Sequence, residues 1–287
     1  ACACAATALG SGFIMTRDFK AAGALMTTLR SIDPACVEAY ATEIEAYSEL
    51  EMNRAVEAAW TAGREKIGDH PRLQGIETIV MKSRGEIKRL VATLEDQVAA
   101  GDHSPGLMKR LLALYVTEGL RTDKMNHWLT RARAEPNNTV AAFFAGILLH
   151  YERDWSGSNA LLDRAFKDFS EEPRLYIYRA MNLFNLGDRA GSEAAITRSE
   201  ELEVQDPDVF YCQGEIFRDT DRPRAKKALE VYWHQTRLSS DPNSKKQRRV
   251  RGLIDAIDRC MATEEAGLCE GPWEHIFDSG DHRPSTL

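Results

Sequence analysis

Residues 105–138 read PGLMKRLLALYVTEGLRTDKMNHWLTRARAEPNN, and residues 173–206 read PRLYIYRAMNLFNLGDRAGSEAAITRSEELEVQD. The two stretches have the same length, and both have proline at the first position and glycine at the fifteenth. Proline is favoured at the start of a helix because its missing N–H group is not needed there. Glycine tolerates the positive φ at which many helices end. Each stretch therefore predicts a helix, a turn and a second helix.

The same period continues along the chain, with Pro71 and Pro207 again at the first position. The eleventh position is large and apolar in every repeat: Phe13, Tyr47, Met81, Tyr115, Leu149, Leu183 and Phe217. The twenty-fourth position is apolar in the first six: Met26, Trp60, Leu94, Trp128, Leu162 and Ile196. Apolar columns in register with the period predict seven helical hairpins that pack through these side chains.

These columns resemble the signature of the tetratricopeptide repeat family, whose unit is a helical hairpin of about 34 residues. In the first and fourth repeats the signature positions hold Leu9, Gly10, Phe13, Ala22, Met26 and Pro34, then Tyr115, Gly119, Trp128 and Pro136. The resemblance implies an all-α fold, a right-handed superhelical solenoid of about seven repeats. Lys124 at a position that is usually small and Glu230 at the twenty-fourth position of the last repeat depart from the pattern.

Three segments follow from this frame. The repeat array covers residues 3–240, a capping helix covers 241–262, and an irregular tail covers 263–287. A solenoid needs a terminal element with a polar outer face, and the helix after residue 240 suits that role.

The composition limits the class of protein. With 43% hydrophobic residues, 28% charged residues and a net charge of −7, the chain can form a sizeable core. The sequence contains no uninterrupted apolar run of about 18 residues, so no transmembrane segment is predicted. The acidic balance makes nucleic acid an unexpected partner, because phosphate backbones require a broad positive field.

The motifs of common enzymes are missing from the sequence, which contains no GxSxG, HExxH, CxxC or glycine-rich phosphate loop. We therefore expect a protein that is not an enzyme and needs no cofactor. His275, Asp278, Asp281 and His282 have spacings that could hold a divalent ion, but such a cluster in a loop rich in glycine and proline is usually solvated. No metal site is predicted.

The six cysteines leave two compartments open. Cys260 and Cys269 are close enough for a disulfide that would tie the tail to the capping helix, and Cys2, Cys4 and Cys36 fall near the first helices of adjacent repeats. A chain that begins at Ala1 and contains such a bridge favours an extracytoplasmic location. The alternative is a reduced intracellular chain in which Cys212 and Cys36 are buried apolar residues.

The resemblance also implies a binding groove, since in this family the second, fifth, ninth and twelfth positions of each first helix line the concave face. Here those positions include Lys109, Phe143, Ile147, His150, Ile177, Met181, Phe184, Tyr211 and Arg218. An apolar strip across the fifth to seventh repeats predicts docking of a peptide segment or helix. The alternative is that the curvature of the array or the tail covers these residues and makes them core.

A basic patch opens the capping helix, formed by Lys245, Lys246, Arg248, Arg249 and Arg251. Positive charge at a helix N-terminus opposes the helix dipole and favours an anionic partner. A solvated polar cap is the simpler interpretation of the same residues.

Two functional hypotheses fit these features. The first is a noncatalytic scaffold or adaptor that binds a protein or peptide segment in the groove. The second is a structural or regulatory subunit of a larger assembly, at a membrane in one version, in which the outer face or the basic patch makes the contacts.

Overall fold

A computed structural model of the protein describes residues 4–202, 207–236 and 245–263. These residues form fifteen α-helices and no strand, which confirms the predicted all-α fold. The first six helices are α1 (Cys4–Met15), α2 (Phe19–Ile32), α3 (Val37–Glu49), α4 (Asn53–Ile67), α5 (Pro71–Ser83) and α6 (Ile87–Ala99). The others are α7 (Pro105–Thr117), α8 (Arg121–Ala134), α9 (Thr139–Tyr151), α10 (Trp155–Phe169), α11 (Pro173–Asn185), α12 (Arg189–Glu201), α13 (Pro207–Phe217), α14 (Arg222–Thr236) and α15 (Lys245–Thr263).

The chain divides into two compact units, Ala1–Gly101 and Asp102–Leu287. The N-terminal unit contains repeats 1–3, and the C-terminal unit contains repeats 4–7 followed by α15. The four marker prolines are the first residues of α5, α7, α11 and α13, as predicted. The predicted tail lies almost wholly outside the described residues.

A tight turn joins the two helices of each of the first six repeats. The residue at the fifteenth position of the repeat lies in this turn, and its φ is positive in all six repeats: Arg17, Glu51, Gly85, Gly119, Arg153 and Gly187. This confirms why glycine recurs there, because a Cβ atom is strained in this backbone region. In repeats 1, 5 and 6 the next residue is an aspartate, and Asp154 and Asp188 accept hydrogen bonds of 2.9 Å from the backbone N–H groups of Gly157 and Gly191. These side chains cap the second helix.

Side chains from the predicted columns hold the helices of each hairpin together. Every apolar residue of the twenty-fourth position is buried. In repeat 4, the Trp128 indole donates a hydrogen bond of 3.1 Å to the Tyr115 hydroxyl, and the same indole stacks on Phe144 of repeat 5 with 4.8 Å between ring centroids. The columns thus connect one repeat to the next as well as the helices within a repeat.

A second contact between paired helices recurs in repeats 5 and 6. The Ser158 hydroxyl donates a hydrogen bond of 2.7 Å to the Gly146 carbonyl, and Ser192 makes the equivalent bond of 2.8 Å to the Ala180 carbonyl one repeat later. The small eighth position allows this approach, since a Cβ on Gly146 would lie 3.0 Å from Leu162. The sequence indicated the small residues but not the hydrogen bonds.

The seventh repeat departs from the period. Its second helix begins at Arg222, one residue earlier in the frame than the second helices of repeats 1–6. Leu229 therefore packs against Gly214, where a Cβ would lie 2.4 Å from the leucine side chain, and Glu230 stays outside the core. Glu230, which departs from the apolar pattern of the twenty-fourth position, is replaced in the core by its neighbour Leu229, because α14 begins one residue earlier in the frame.

We expect Glu51→Gly to raise the free energy of unfolding of the protein by about 1 kcal/mol, because glycine removes the steric penalty of φ 55° at this exposed turn. Urea denaturation followed by circular dichroism would measure the change. Glu49→Gly is the matched control, since Glu49 is exposed inside the last turn of α3, and it should lower stability by roughly 1 kcal/mol. Destabilisation by both variants would contradict the strain assigned to Glu51.

Candidate interaction surface

The inner strip is the set of six large apolar residues that the sequence places at the fifth, ninth and twelfth positions of α9, α11 and α13. Its members are Phe143, Ile147, Ile177, Met181, Phe184 and Tyr211, and none is more than 6% exposed. The expectation of an open apolar strip is therefore wrong for this structure. Burial removes apolar surface from water at a gain of about 25 cal/mol per Å², so open exposure would be costly. The binding role of the strip stays a prediction.

The described neighbours of the strip are mainly apolar or aromatic. Phe143 lies against Phe169 at the end of α10, with 5.2 Å between ring centroids. The Arg189 guanidinium lies 4.3 Å from the centroid of the Phe184 ring. Ile177, Met181, Phe184 and Tyr211 belong to the same core cluster as Val250, Leu253 and Ile257 of α15. The strip thus continues into the core that holds α15.

His150, predicted to line the groove, belongs to a buried polar network. Its Nδ1 lies 2.7 Å from the Asn182 side-chain oxygen, and the Asn182 amide donates hydrogen bonds to Ser158 at 2.8 Å and Asn159 at 3.0 Å. The oxygen of Asn182 can only accept, so Nδ1 donates as a neutral imidazole. Burial lowers the pKa of His150 to about 4, although the hydrogen bond to Asn182 acts in the opposite direction. His150 therefore joins α9 to α11.

Arg218, the last predicted groove residue, is also buried and paired within the fold. Its guanidinium donates to the Glu215 carboxylate at 3.2 Å, and the same carboxylate accepts from Arg249 of α15 at 2.7 Å and from the Tyr211 hydroxyl at 3.0 Å. A buried carboxylate needs such partners because desolvation penalises an isolated charge. This network fixes α15 against α13.

The basic patch on α15 is divided by the fold. Lys246 forms an ion pair with Asp208, and its ammonium lies 4.6 Å from the centroid of the Tyr211 ring. Burial lowers the pKa of Lys246, but the Asp208 carboxylate together with Tyr232 and Cys212 holds that pKa above its ordinary value. The expectation of one continuous basic patch is wrong, because Lys246 and Arg249 are turned toward acidic residues of α13.

The other basic side chains of the patch are differently placed. Arg248 and Arg251 are exposed, and the Arg251 guanidinium lies 4.4 Å from the centroid of the Trp233 ring. The side chain of Lys245 lies outside the described residues. Among the predicted groove residues, Lys109 is half-buried and the others are buried.

Two cysteines of the described residues, Cys36 and Cys260, are disulfide-bonded, whereas Cys212 is buried and forms no disulfide. The side chains of Cys2, Cys4 and Cys269 lie outside the described residues, so the pairing of Cys260 with Cys269 stays a prediction.

Over residues 4–202, 207–236 and 245–263, no group of three or more acidic, histidine or cysteine residues is arranged to hold a metal ion. The cluster predicted around His275 lies outside these ranges.

In the part of the chain that the structure describes, no helix combines the length and apolar character needed to cross a membrane.

No protein-family model and no curated protein matches the sequence. Among solved structures, a tetratricopeptide repeat protein from Parabacteroides merdae is 11% identical with a TM-score of 0.46, covering 88% of this chain and 97% of its own. The Cut9–Hcn1 structure is 15% identical with a TM-score of 0.49, covering 93% of this chain and 53% of that one. The yeast Sti1 TPR2AB domain in complex with pHSP90 is 14% identical with a TM-score of 0.37, covering 88% and 97%. Similarity at this level transfers no residue role and no partner.

We expect the stability of the protein to fall as the pH is lowered through the ordinary pKa of histidine toward 4, because His150 must stay neutral in the fold. The pKa of His150 is depressed in the folded state, so its contribution is fully present above pH 6.5 and is lost below it. Urea melts at pH 7.5 and 4.5 should show that the wild type loses about 2 to 3 kcal/mol more than His150→Gln. Equal losses in both proteins would contradict a buried neutral imidazole.

Proposed function

We propose that the protein is a noncatalytic interaction scaffold that binds a partner segment along the inner strip. The observation that carries this proposal is the repetition of large apolar residues at equivalent positions of α9, α11 and α13, three successive first helices. A row of this kind offers evenly spaced sites to an extended or helical segment. Tandem hairpins supply the rigid surface on which such a row can act.

The charges beside the strip suggest the chemistry of the segment. Lys109 and Arg174 occupy inner positions of repeats 4 and 6, and both are half-buried. A segment with apolar anchors and flanking carboxylates would complement them, since opposite charges at the margin of an interface favour encounter and register. Because the strip is buried in this structure, the partner must replace whatever covers it.

A second candidate function rests on a different surface. The N-terminal unit exposes several large apolar side chains, each at least 37% accessible: Leu9, Met15, Ile32, Leu50 and Met52. Permanent interfaces are more apolar than ordinary surface. These residues favour a structural subunit held in a larger assembly through the N-terminal unit.

Photo-cross-linking would test the first proposal. With p-benzoylphenylalanine at position 109 or 174 of the full chain in its native cells, we expect adducts with a small, reproducible set of proteins. Lys227 is the matched control, because it is exposed on α14 away from the inner positions. Adducts from position 227 with none from 109 or 174 would contradict the scaffold proposal, and adducts from position 15 or 52 would favour the assembly.

We further propose that the protein works in an oxidising compartment, because disulfides persist there and are rare where thiols are kept reduced. The bonded states of Cys36 and Cys260 support this location. When free thiols are alkylated during lysis of native cells, peptide mass spectrometry should find Cys36 and Cys260 unmodified. Cys212 is the internal control and should be alkylated once the protein is denatured. Alkylated Cys36 and Cys260 would indicate the reduced intracellular form.

A further inference from the structure

The turn of repeat 2 lacks the residues that stabilise the equivalent turns. Each of the first six repeats has glycine at its fifteenth position or aspartate at its sixteenth, except repeat 2, which has Glu51 and Met52. Glu51 has a φ of 55°, a conformation that strains any residue with a Cβ atom. Met52 precedes α4 without capping it, whereas Asp18 accepts a hydrogen bond of 3.1 Å from the Ala21 backbone N–H in α2. The stability of the hairpin therefore does not explain the residues of this turn.

Large apolar side chains are exposed at this turn and at the turn beside it. Leu50 is 37% exposed and Met52 is 47% exposed, and Met15, the last residue of α1, is 48% exposed. The first helices of the two repeats, α1 and α3, are in contact, so their C-terminal ends lie at one edge of the N-terminal unit, roughly 8 to 10 Å apart. Repeat 3 instead has Arg84 at the position of Leu50, and Arg84 donates to the Glu57 carboxylate at 2.8 Å. Neighbouring exposed apolar side chains indicate an interaction site.

The charges of the two turns are opposite in sign. Residues 15–20, in repeat 1, contain two basic residues and one acidic residue, whereas residues 49–54, in repeat 2, contain one basic residue and two acidic residues. Arg17 and Glu51 occupy the fifteenth position of the two repeats, and both are exposed. Neither forms an ion pair with any residue that the structure describes. The two ranges together form the turn edge, which has three exposed apolar side chains and equal numbers of positive and negative charges.

The turn edge is complementary to itself. A two-fold axis between the two turns would place the turn of repeat 1 against the turn of repeat 2 in a second copy of the chain, and the reverse. Arg17 would then face Glu51 of the other copy at two symmetric contacts, and Met15 would face the apolar side chains of the other copy. The whole chain has a net charge of −7, but this edge has none, so two copies do not repel each other here.

We infer that the protein forms a homodimer through the turn edge, with the two-fold axis between the turns of repeats 1 and 2. The inference deepens the second candidate function, the assembly held through the N-terminal unit, and rests on it, because it names a second copy of the chain as the partner. Glu51 and Met52 then make contacts that glycine and aspartate could not provide. Two turns bury a small area, so the dimer is weaker than one with an interface of standard size.

Sedimentation velocity of the full chain tests the dimer. We expect the average mass to rise from that of the monomer toward that of the dimer between about 1 and 100 μM. Arg17→Glu and Glu51→Arg should each weaken the dimer by about tenfold or more, because each variant places like charges at both symmetric contacts. An equal mixture of the two variants should form dimers again, because every contact in the mixed dimer joins opposite charges.

Two further variants separate this surface from general effects on the protein. Leu50→Ser should weaken the dimer by about tenfold. Leu186→Ser is the matched control and should leave it unchanged, because Leu186 is 50% exposed at the same position of repeat 6, in a turn that has both glycine and aspartate. Glu51→Gly removes the strain together with the charge, so urea melts should show a more stable fold while the dimer dissociates more readily.

A chain that stays monomeric over the whole concentration range would overturn the inference. A dimer that the charge variants leave intact, or that their mixture does not restore, would overturn it as well, because another surface would then join the copies. Photo-cross-links from position 15 or 52 to other proteins, found with a monomeric chain, would overturn the dimer but keep the assembly. The absence of both the dimer and these cross-links would reject the second candidate function together with the inference.

Discussion

The hairpin turn is the constraint on which the rest of the structure depends. Two helices can pack side by side only if the chain reverses sharply between them, and the positive φ at the fifteenth position makes that reversal. This reversal brings the eighth position of the first helix against the second helix. A small residue is therefore needed there, and in repeats 5 and 6 a serine hydroxyl of the second helix donates to its carbonyl. Glycine satisfies the turn in three repeats, whereas arginine and glutamate occupy it under strain in the other three.

Charged residues in the interior of the C-terminal unit serve the fold in a way that apolar residues could not. Glu215 accepts hydrogen bonds from Tyr211 of the same helix, from Arg218 just after that helix and from Arg249 of α15, so one carboxylate joins the C-terminal end of α13 to α15. Breaking such a network leaves an uncompensated charge, which makes the position of α15 specific even where the net gain in stability is small. Lys246 and Asp208 repeat the arrangement near the start of the same helix.

The sequence predicted the repeat period, the helix starts at four prolines and the packing columns, because each depends on contacts within one hairpin. It did not predict the one-residue displacement of α14, since Glu230 and Leu229 are neighbours and only the residue at which α14 begins decides which of them is buried. It also predicted an open strip where the structure has buried side chains. Periodicity places Phe143 and Met181 on one face of their helices, but it does not say what lies on that face. For the same reason the sequence did not predict the ion pairs of Lys246 and Arg249, because their acidic partners belong to another helix.

The early start of α14 in repeat 7 bears on how such an array can vary. Repeats 5 and 6 share the aspartate caps, the serine bonds and the turn conformation, so either could be copied and inserted beside the other with its contacts preserved. In repeat 7 the second helix begins one residue earlier, yet Leu229 is the eighth residue of α14, just as Leu162 and Ile196 are the eighth residues of α10 and α12. Leu229 also packs on Gly214 as Leu162 packs on Gly146, so the packing face of the helix is kept. A packing residue is thus fixed by its distance from the start of its own helix and not by its place in the 34-residue period, and the array can lose one residue before a second helix without losing the contact.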